Sequence, residues 1–257
     1  MSHALALLAN YSDDEESEKE TEKSLSPPTK KKKIILENPL KNIKFGNTTS
    51  EPEFEDDPSL HENRVRSFPH IRGNWASFIF IDPLKQIDFN PLTKSILKFL
   101  SSSQNSSKVE YKAFSEQHHL SVSRVFTLQH HWISSFIQSL QTKLKNFVKP
   151  ITLSLAPKID ILVNEDFSRT FITVAIAEHK GLTDIVQCCD ETLVEFDKDI
   201  FYKPPNFHIS LVWALGDQRN QIDVKGLQNC FDAVEESTFH VNSIHCKIGN
   251  KLFTNKL

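Results

Sequence analysis

Phe207-His208-Ile209-Ser210-Leu211-Val212-Trp213-Ala214-Leu215 is the most informative stretch of the chain. Successive side chains on a strand point to opposite faces, so Phe207, Ile209, Leu211, Trp213 and Leu215 are expected to form one unbroken apolar face. His208 and Ser210 then stand on its reverse. The same pattern occurs earlier as His119-Leu120-Ser121-Val122-Ser123, where His119 and Ser121 share one face and Leu120 and Val122 take the other. A single His-x-Ser carries little information, because a histidine satisfied by a neighbouring hydroxyl is common in proteins. Two copies on strands of apolar alternation predict two strands side by side across a cleft, with the imidazoles facing each other and a hydroxyl beside each.

Outward from these strands, Asn74 to Asp82 is dense in aromatic and β-branched residues and ends at Asp82-Pro83, the signature of a strand. Leu92, Ile96, Leu97, Phe99 and Leu100 mark a short helix, and Ser101 to Lys108 reads as a polar loop. Ser121 to Leu128 alternates only weakly. Trp132, Ile133, Phe136, Leu140, Leu144 and Phe147 then recur at helical spacing until Pro150. Strands are expected over Lys158 to Val163 and Thr170 to Ala177, around a bend at Asn164 to Ser168. Leu182, Ile185, Val186, Cys189, Leu193 and Phe196 define a second long helix, and Asn242 to Thr254 reads as a hairpin turning at Gly249-Asn250. Trp132 and Trp213 fall on apolar faces and are assigned to the core. This order predicts an α+β protein in which antiparallel sheets are backed by helices, with one long helix near each His-x-Ser strand in a two-lobed design.

The chain has 257 residues and a formal net charge of −3. That charge excludes a global basic field for holding nucleic acid, so any such site must be local. Seven carboxylates and one lysine lie between Asp13 and Glu22, followed by Pro27-Pro28 and Lys30 to Lys33. Residues 1–65 are therefore expected to be a disordered tail and 66–257 the folded domain. The four lysines fit a nuclear import signal, and a nuclear location is expected. Ala4 to Ala9 is too short to span a bilayer, so no membrane association is expected. Cys188, Cys189, Cys230 and Cys246 lack the two-residue spacing of a zinc or redox motif, which predicts reduced, mostly buried thiols. His118-His119 and His130-His131 invite a metal reading, but neighbouring residues on one element point apart and no His-Glu-x-x-His is present. No metal and no cofactor are expected.

Two facing imidazoles suit the cleavage of an RNA phosphodiester. One, neutral, removes the proton of a ribose 2′-OH, while the other, protonated, supplies a proton to the departing 5′-oxygen. An unperturbed pKa near 6.5 lets both states exist at neutral pH. Hydroxyls at Ser121 and Ser210 are suited to donate hydrogen bonds to the non-bridging oxygens.

Several further pieces sharpen the reading: Phe68-Pro69-His70-Ile71-Arg72-Gly73-Asn74-Trp75-Ala76, His130-His131-Trp132-Ile133, Ser168 to Ile172, Phe201-Tyr202 and Cys246-Lys247 through Gly249-Asn250-Lys251. Together with the two His-x-Ser strands they resemble, from about Phe68 to the C-terminus, the U6 small nuclear RNA phosphodiesterase family within the two-histidine (2H) phosphoesterases. The resemblance implies a two-lobed fold around a central cleft, and a metal-independent 3′→5′ exoribonuclease that trims the uridine-rich 3′ end of U6 RNA, leaving a cyclic or opened phosphate. By motif match it implies His119 and His208 as the catalytic pair and Ser121 and Ser210 as phosphate binders. It further implies nucleotide contacts at Leu120, Tyr202, Pro204, Pro205, Asn206, Phe207, Ile209 and Glu165, with Tyr202 stacking on a terminal base. Glu165 falls where some relatives carry a neutral amide. A monomer acting on single-stranded RNA is expected. Two alternatives share these residues: a 2′,3′-cyclic nucleotide phosphodiesterase, in which the histidines activate water, and a non-catalytic RNA-binding subunit.

Overall fold

The computed structural model describes residues 71–257 apart from 84–85, 104–108, 115–117, 148 and 235–236. All of these belong to the compact unit Phe54–Leu257. The expected tail over residues 1–65 and the Lys30 to Lys33 run lie outside the described residues.

The strands are β1 (Asn74–Ile81), β2 (Lys112–Ala113), β3 (Leu120–Ser121), β4 (Phe126–Gln129), β5 (Ile151–Val163), β6 (Arg169–Ile176), β7 (His208–Leu215), β8 (Thr238–Val241), β9 (Ser243–Ile248) and β10 (Lys251–Lys256). The helices are α1 (Asn90–Ser103), α2 (Ile133–Phe147), α3 (Lys180–Glu195) and α4 (Val224–Gln228). The strands hydrogen bond in the order β10-β9-β1-β3-β7-β6-β5-β8, with β4 added beside β1 and β2 beside β7. Every pairing is antiparallel. The protein is thus α+β, and its two halves meet at β3, a strand of two residues.

One hydrophobic core runs behind both halves, with Ile79, Ile81, Leu120, Ile172, Val174, Ile209, Leu211 and Val212 at 0–1% exposure. Helix α1 packs behind β7, whereas α3, which connects β6 to β7, packs with α2 on the far half, where α2 touches β10. Each half is therefore covered in part by a helix that belongs to the other in sequence. All four cysteines are free and buried, and burial pushes the Cys246 thiol up to about 12. Among the described residues no helix is long and apolar enough to cross a membrane.

Several expectations are corrected. Strand β5 begins at Ile151 instead of Lys158: Pro157 has no N–H to give the ladder, and a register shift between Leu155 and Ile159 absorbs it. Ser101 to Ser103 complete α1. Strand β8 alternates exposed and buried residues but is four residues long, too short to read as a strand from sequence.

The apolar face expected over Phe207 to Leu215 is broken. Thr173 pairs with Ser210 but Ile172 with Val212, so Leu211 is an extra residue. Val212 and Ala214 thereby turn to the core, while Trp213 and Leu215 move to the side of His208 and Ser210. Leu215 is exposed there, and Trp213 is buried as expected but on that side, opposite Phe171 and Lys112, whose Nζ lies 5.6 Å from its ring. Trp132 packs against the core as expected.

Candidate active site

Leu120 of β3 pairs with Ile209 of β7, antiparallel. That register sets His119 beside Ser210 and Ser121 beside His208, and residues opposite one another share a face. The four side chains form the corners of a square on one face of the sheet, with the histidines on a diagonal, a relation in which residues of an antiparallel pair are generally about 7–8 Å apart. This separation lets two imidazoles converge on one small anion. Leu120 and Ile209, both fully buried, fill the opposite face. Neither side chain reaches the groove, so the contact that the resemblance implies at Leu120 is not a side-chain contact.

The two histidines are held differently. His208 Nδ1 lies 2.8 Å from the carbonyl oxygen of Asn206. A carbonyl only accepts, so Nδ1 carries the proton and Nε2 is the nitrogen left for chemistry. Burial pushes the His208 pKa below the ordinary histidine value, partly opposed by the Asn206 carbonyl and by the Asp160 carboxylate. Its neighbours across the sheet are small: Ala175 faces His208, Thr173 faces Ser210, and Asp160 lies beyond Thr173. His119 instead meets a wall of aromatic rings, with Phe78 at 5.3 Å and Phe80 at 5.5 Å. Phe80 is also opposite Ser121.

Two residues beside the first motif support it without facing the groove. His118 is buried, with Nδ1 3.1 Å from the Ser210 carbonyl and its ring edge-on to Phe89. Ser123 Oγ accepts from the Ile79 N–H at 2.8 Å and donates to the Arg124 carbonyl at 2.8 Å. Neither role is legible in the sequence, where His118 reads as half of a tandem pair and Ser123 as a third motif residue.

A cavity of about 580 Å³ is lined by Arg124, Glu165, Arg169, Asp197, Lys198 and Tyr202 among others. Neither histidine lines it, but Arg124 follows Ser121 by three residues and Tyr202 precedes Asn206. The Arg124 guanidinium lies 4.0 Å from the Tyr202 ring centre and 3.4 Å from the Glu165 carboxylate. Its Nε is buried with no hydrogen-bond partner among the described residues. Tyr202 is 44% exposed and so keeps an open surface beyond that contact. Asp190 of α3 accepts from the Phe201 N–H at 2.8 Å, and Phe201 stacks on Phe207, which ties the Tyr202 segment to the start of β7. Pro204, Pro205 and Asn206 are exposed between them. Local pattern assigns no chemistry to Arg169 and carries no signal for Arg124, and the structure brings both to one cavity. Among the described residues no group of three or more His, Cys, Asp or Glu side chains is gathered as metal ligands.

A protein family described as "HVSL: Uncharacterised conserved protein" matches residues 39–256. "U6 snRNA phosphodiesterase 1" of Xenopus laevis is 34% identical over 258 residues, covering 96% of this chain and 97% of the relative. The chain belongs to the U6 snRNA phosphodiesterase family. The Mus musculus protein of the same name is also 34% identical, over 82% of this chain and 78% of its own length. The solved structure of Kluyveromyces marxianus Usb1 shares the fold, with a TM-score of 0.52 and 15% identity over 71% of this chain and 98% of that one.

Proposed function

We propose that this protein is an RNA phosphodiesterase that trims the 3′ end of U6 small nuclear RNA as a 3′→5′ exoribonuclease, one residue at a time. The observation that carries the proposal is the Leu120-to-Ile209 register, which gives one groove two imidazoles and two hydroxyls. Family membership supplies the substrate class.

The terminal nucleoside enters the Tyr202 cavity and stacks on the tyrosine face that Arg124 leaves open, and the scissile phosphate lies between the histidines. One imidazole takes the 2′-OH proton of the penultimate ribose, and its oxygen attacks phosphorus. The bond from phosphorus to the 5′-oxygen breaks, and the other imidazole protonates that oxygen. Ser121 and Ser210 donate to the non-bridging oxygens, where charge grows in the transition state. The products are a nucleoside with a free 5′-OH and an RNA one residue shorter, ending in a 2′,3′-cyclic phosphate that water opens at the same site. Both proton transfers are supplied by the chain's own side chains.

The test is mass analysis of 3′ ends after incubating the protein with a uridine-ended RNA in EDTA. Stepwise shortening is expected, with a nucleoside released in the first turnover and, in each later one, a nucleoside carrying the cyclic or opened phosphate left by the turnover before. An RNA that is never shortened, while a preformed cyclic end is opened, would overturn the exonuclease in favour of a cyclic phosphodiesterase.

A further inference from the structure

On β1, β9 and β10 one set of side chains faces the core and the alternate set faces solvent. The buried set includes Ile79, Ile81, Ile244, Cys246, Ile248 and Asn255. The other set ought to be polar throughout, as on most antiparallel sheets with one solvated face. Here it is polar only in part. Phe78 and Phe80 lie there half-exposed, stacked 5.1 Å apart at 29°. His245 continues the row, opposite Phe80 and with its ring 5.4 Å away. Lys247 is opposite Phe78, Leu252 is 57% exposed opposite Lys247, and Lys256 is exposed opposite Ser243. This set contains π-faces, an exposed aliphatic chain and lysines, and none of its members is a carboxylate.

The row is continuous with the square. Phe80 is opposite Ser121, and both phenylalanines touch the His119 ring. From there it runs outward to β10, the edge of the sheet. The opposite wall also has aromatic residues, with Phe114 and Phe171 stacked 6.2 Å apart, but Trp213 is only 5% exposed, and Lys112 and Arg169 already lie over Trp213 and Phe171. The β1, β9 and β10 side instead presents a row of rings and lysines that starts at His119 and continues to the sheet edge.

We infer that this face is the track for the RNA upstream of the scissile phosphate, stacking the penultimate base and its 5′ neighbour on Phe78, Phe80 and His245 while Lys247 and Lys256 meet their phosphates. The inference rests on the exonuclease reading, which requires a bounded pocket for one nucleoside on one side of the phosphate and an open path for the remaining chain on the other. Aromatic platforms beside cations are the general means of holding single strands without regard to sequence. The track therefore selects for length beyond the terminal pair of nucleotides and not for base identity.

The test compares kcat/KM for uridine-ended RNAs of increasing length, from a dinucleotide to a hexanucleotide. For the parent protein the value should rise by about fivefold or more for each of the first bases added, then level off, since each stacked base contributes substantially to binding. In Lys247→Ala/Lys256→Ala and in His245→Ala that rise should flatten, and an RNA with 5-iodouridine at the penultimate position should crosslink to the Phe78 to Phe80 or His245 peptides. Equal parental turnover of dinucleotide and hexanucleotide, or a length advantage unchanged in both variants, overturns the track and leaves the nuclease intact. No turnover of any length would instead overturn the nuclease reading itself.

Discussion

The two His-x-Ser copies carry the same residues on very different supports. The second lies within the eight residues of β7, hydrogen bonded along one side to β6 and along the other to β2 and β3. The first has two residues of strand, and its position is fixed by groups that replace a ladder: His118 on the Ser210 carbonyl, the Val122 N–H on the Ile79 carbonyl, and Ser123 Oγ beneath the Ile79 N–H. Their surroundings differ too, with phenylalanine rings at His119 and Thr173, Ala175 and the Asp160 charge near His208. An identical motif thus specifies which atoms meet, while its neighbours set how firmly each is held.

The largest effect tests whether the copies are equivalent in chemistry. His119→Ala and His208→Ala should each slow single-turnover trimming by about 10²–10⁴-fold, the range of one general acid or base, with RNA binding by fluorescence anisotropy retained within a few fold. Trimming at the parental rate by either variant would break the equivalence and with it the mechanism. A smaller effect tests whether they differ in support. Ser123→Ala removes the acceptor of a buried N–H and should cost about 1–3 kcal/mol in urea unfolding, whereas Ser121→Ala, half-exposed in the groove, should reduce turnover with little change in stability. The second copy has Val212 at the position matching Ser123 and needs no such hydroxyl, because β6 and β2 hold it. Unchanged stability of Ser123→Ala would refute the idea of a borrowed ladder.

The sequence was most legible where periodicity and chemistry coincided. β1, α2, α3, β6 and the β9 to β10 hairpin lie within a few residues of their expected bounds, and both His-x-Ser strands meet as the alternation implies. It was least legible where one residue changed register. Nothing in Leu211-Val212-Trp213 announces the bulge that turns Trp213 from the core side to the groove side, since both faces of that stretch are apolar. The Tyr202 cavity was half-visible. Tyr202 and Glu165 were reached through resemblance, but the Arg124 guanidinium between them depends on residues far apart in sequence, and no local pattern encodes such a contact.

The smallest expected effect sharpens the contrast in titration and separates the roles of the two histidines. Burial holds the His208 pKa below the usual histidine value, and the Asp160 carboxylate, ion-paired to Lys158 at 2.9 Å, opposes that shift. Asp160→Asn removes the negative charge and leaves the Lys158 ammonium, so the imidazolium of His208 loses support and its pKa falls further. The limb of the kcat/KM profile against pH that belongs to His208 should therefore move to lower pH, with the limb of His119 in place. If His208 is the base, this is the acid-side limb, and the variant will exceed the parent in weak acid because more of the imidazole is neutral. If His208 is the acid, it is the descending limb, and the variant will fall behind the parent as pH rises because less of the imidazole is protonated. A profile that does not move would show that Asp160 has no influence on the groove.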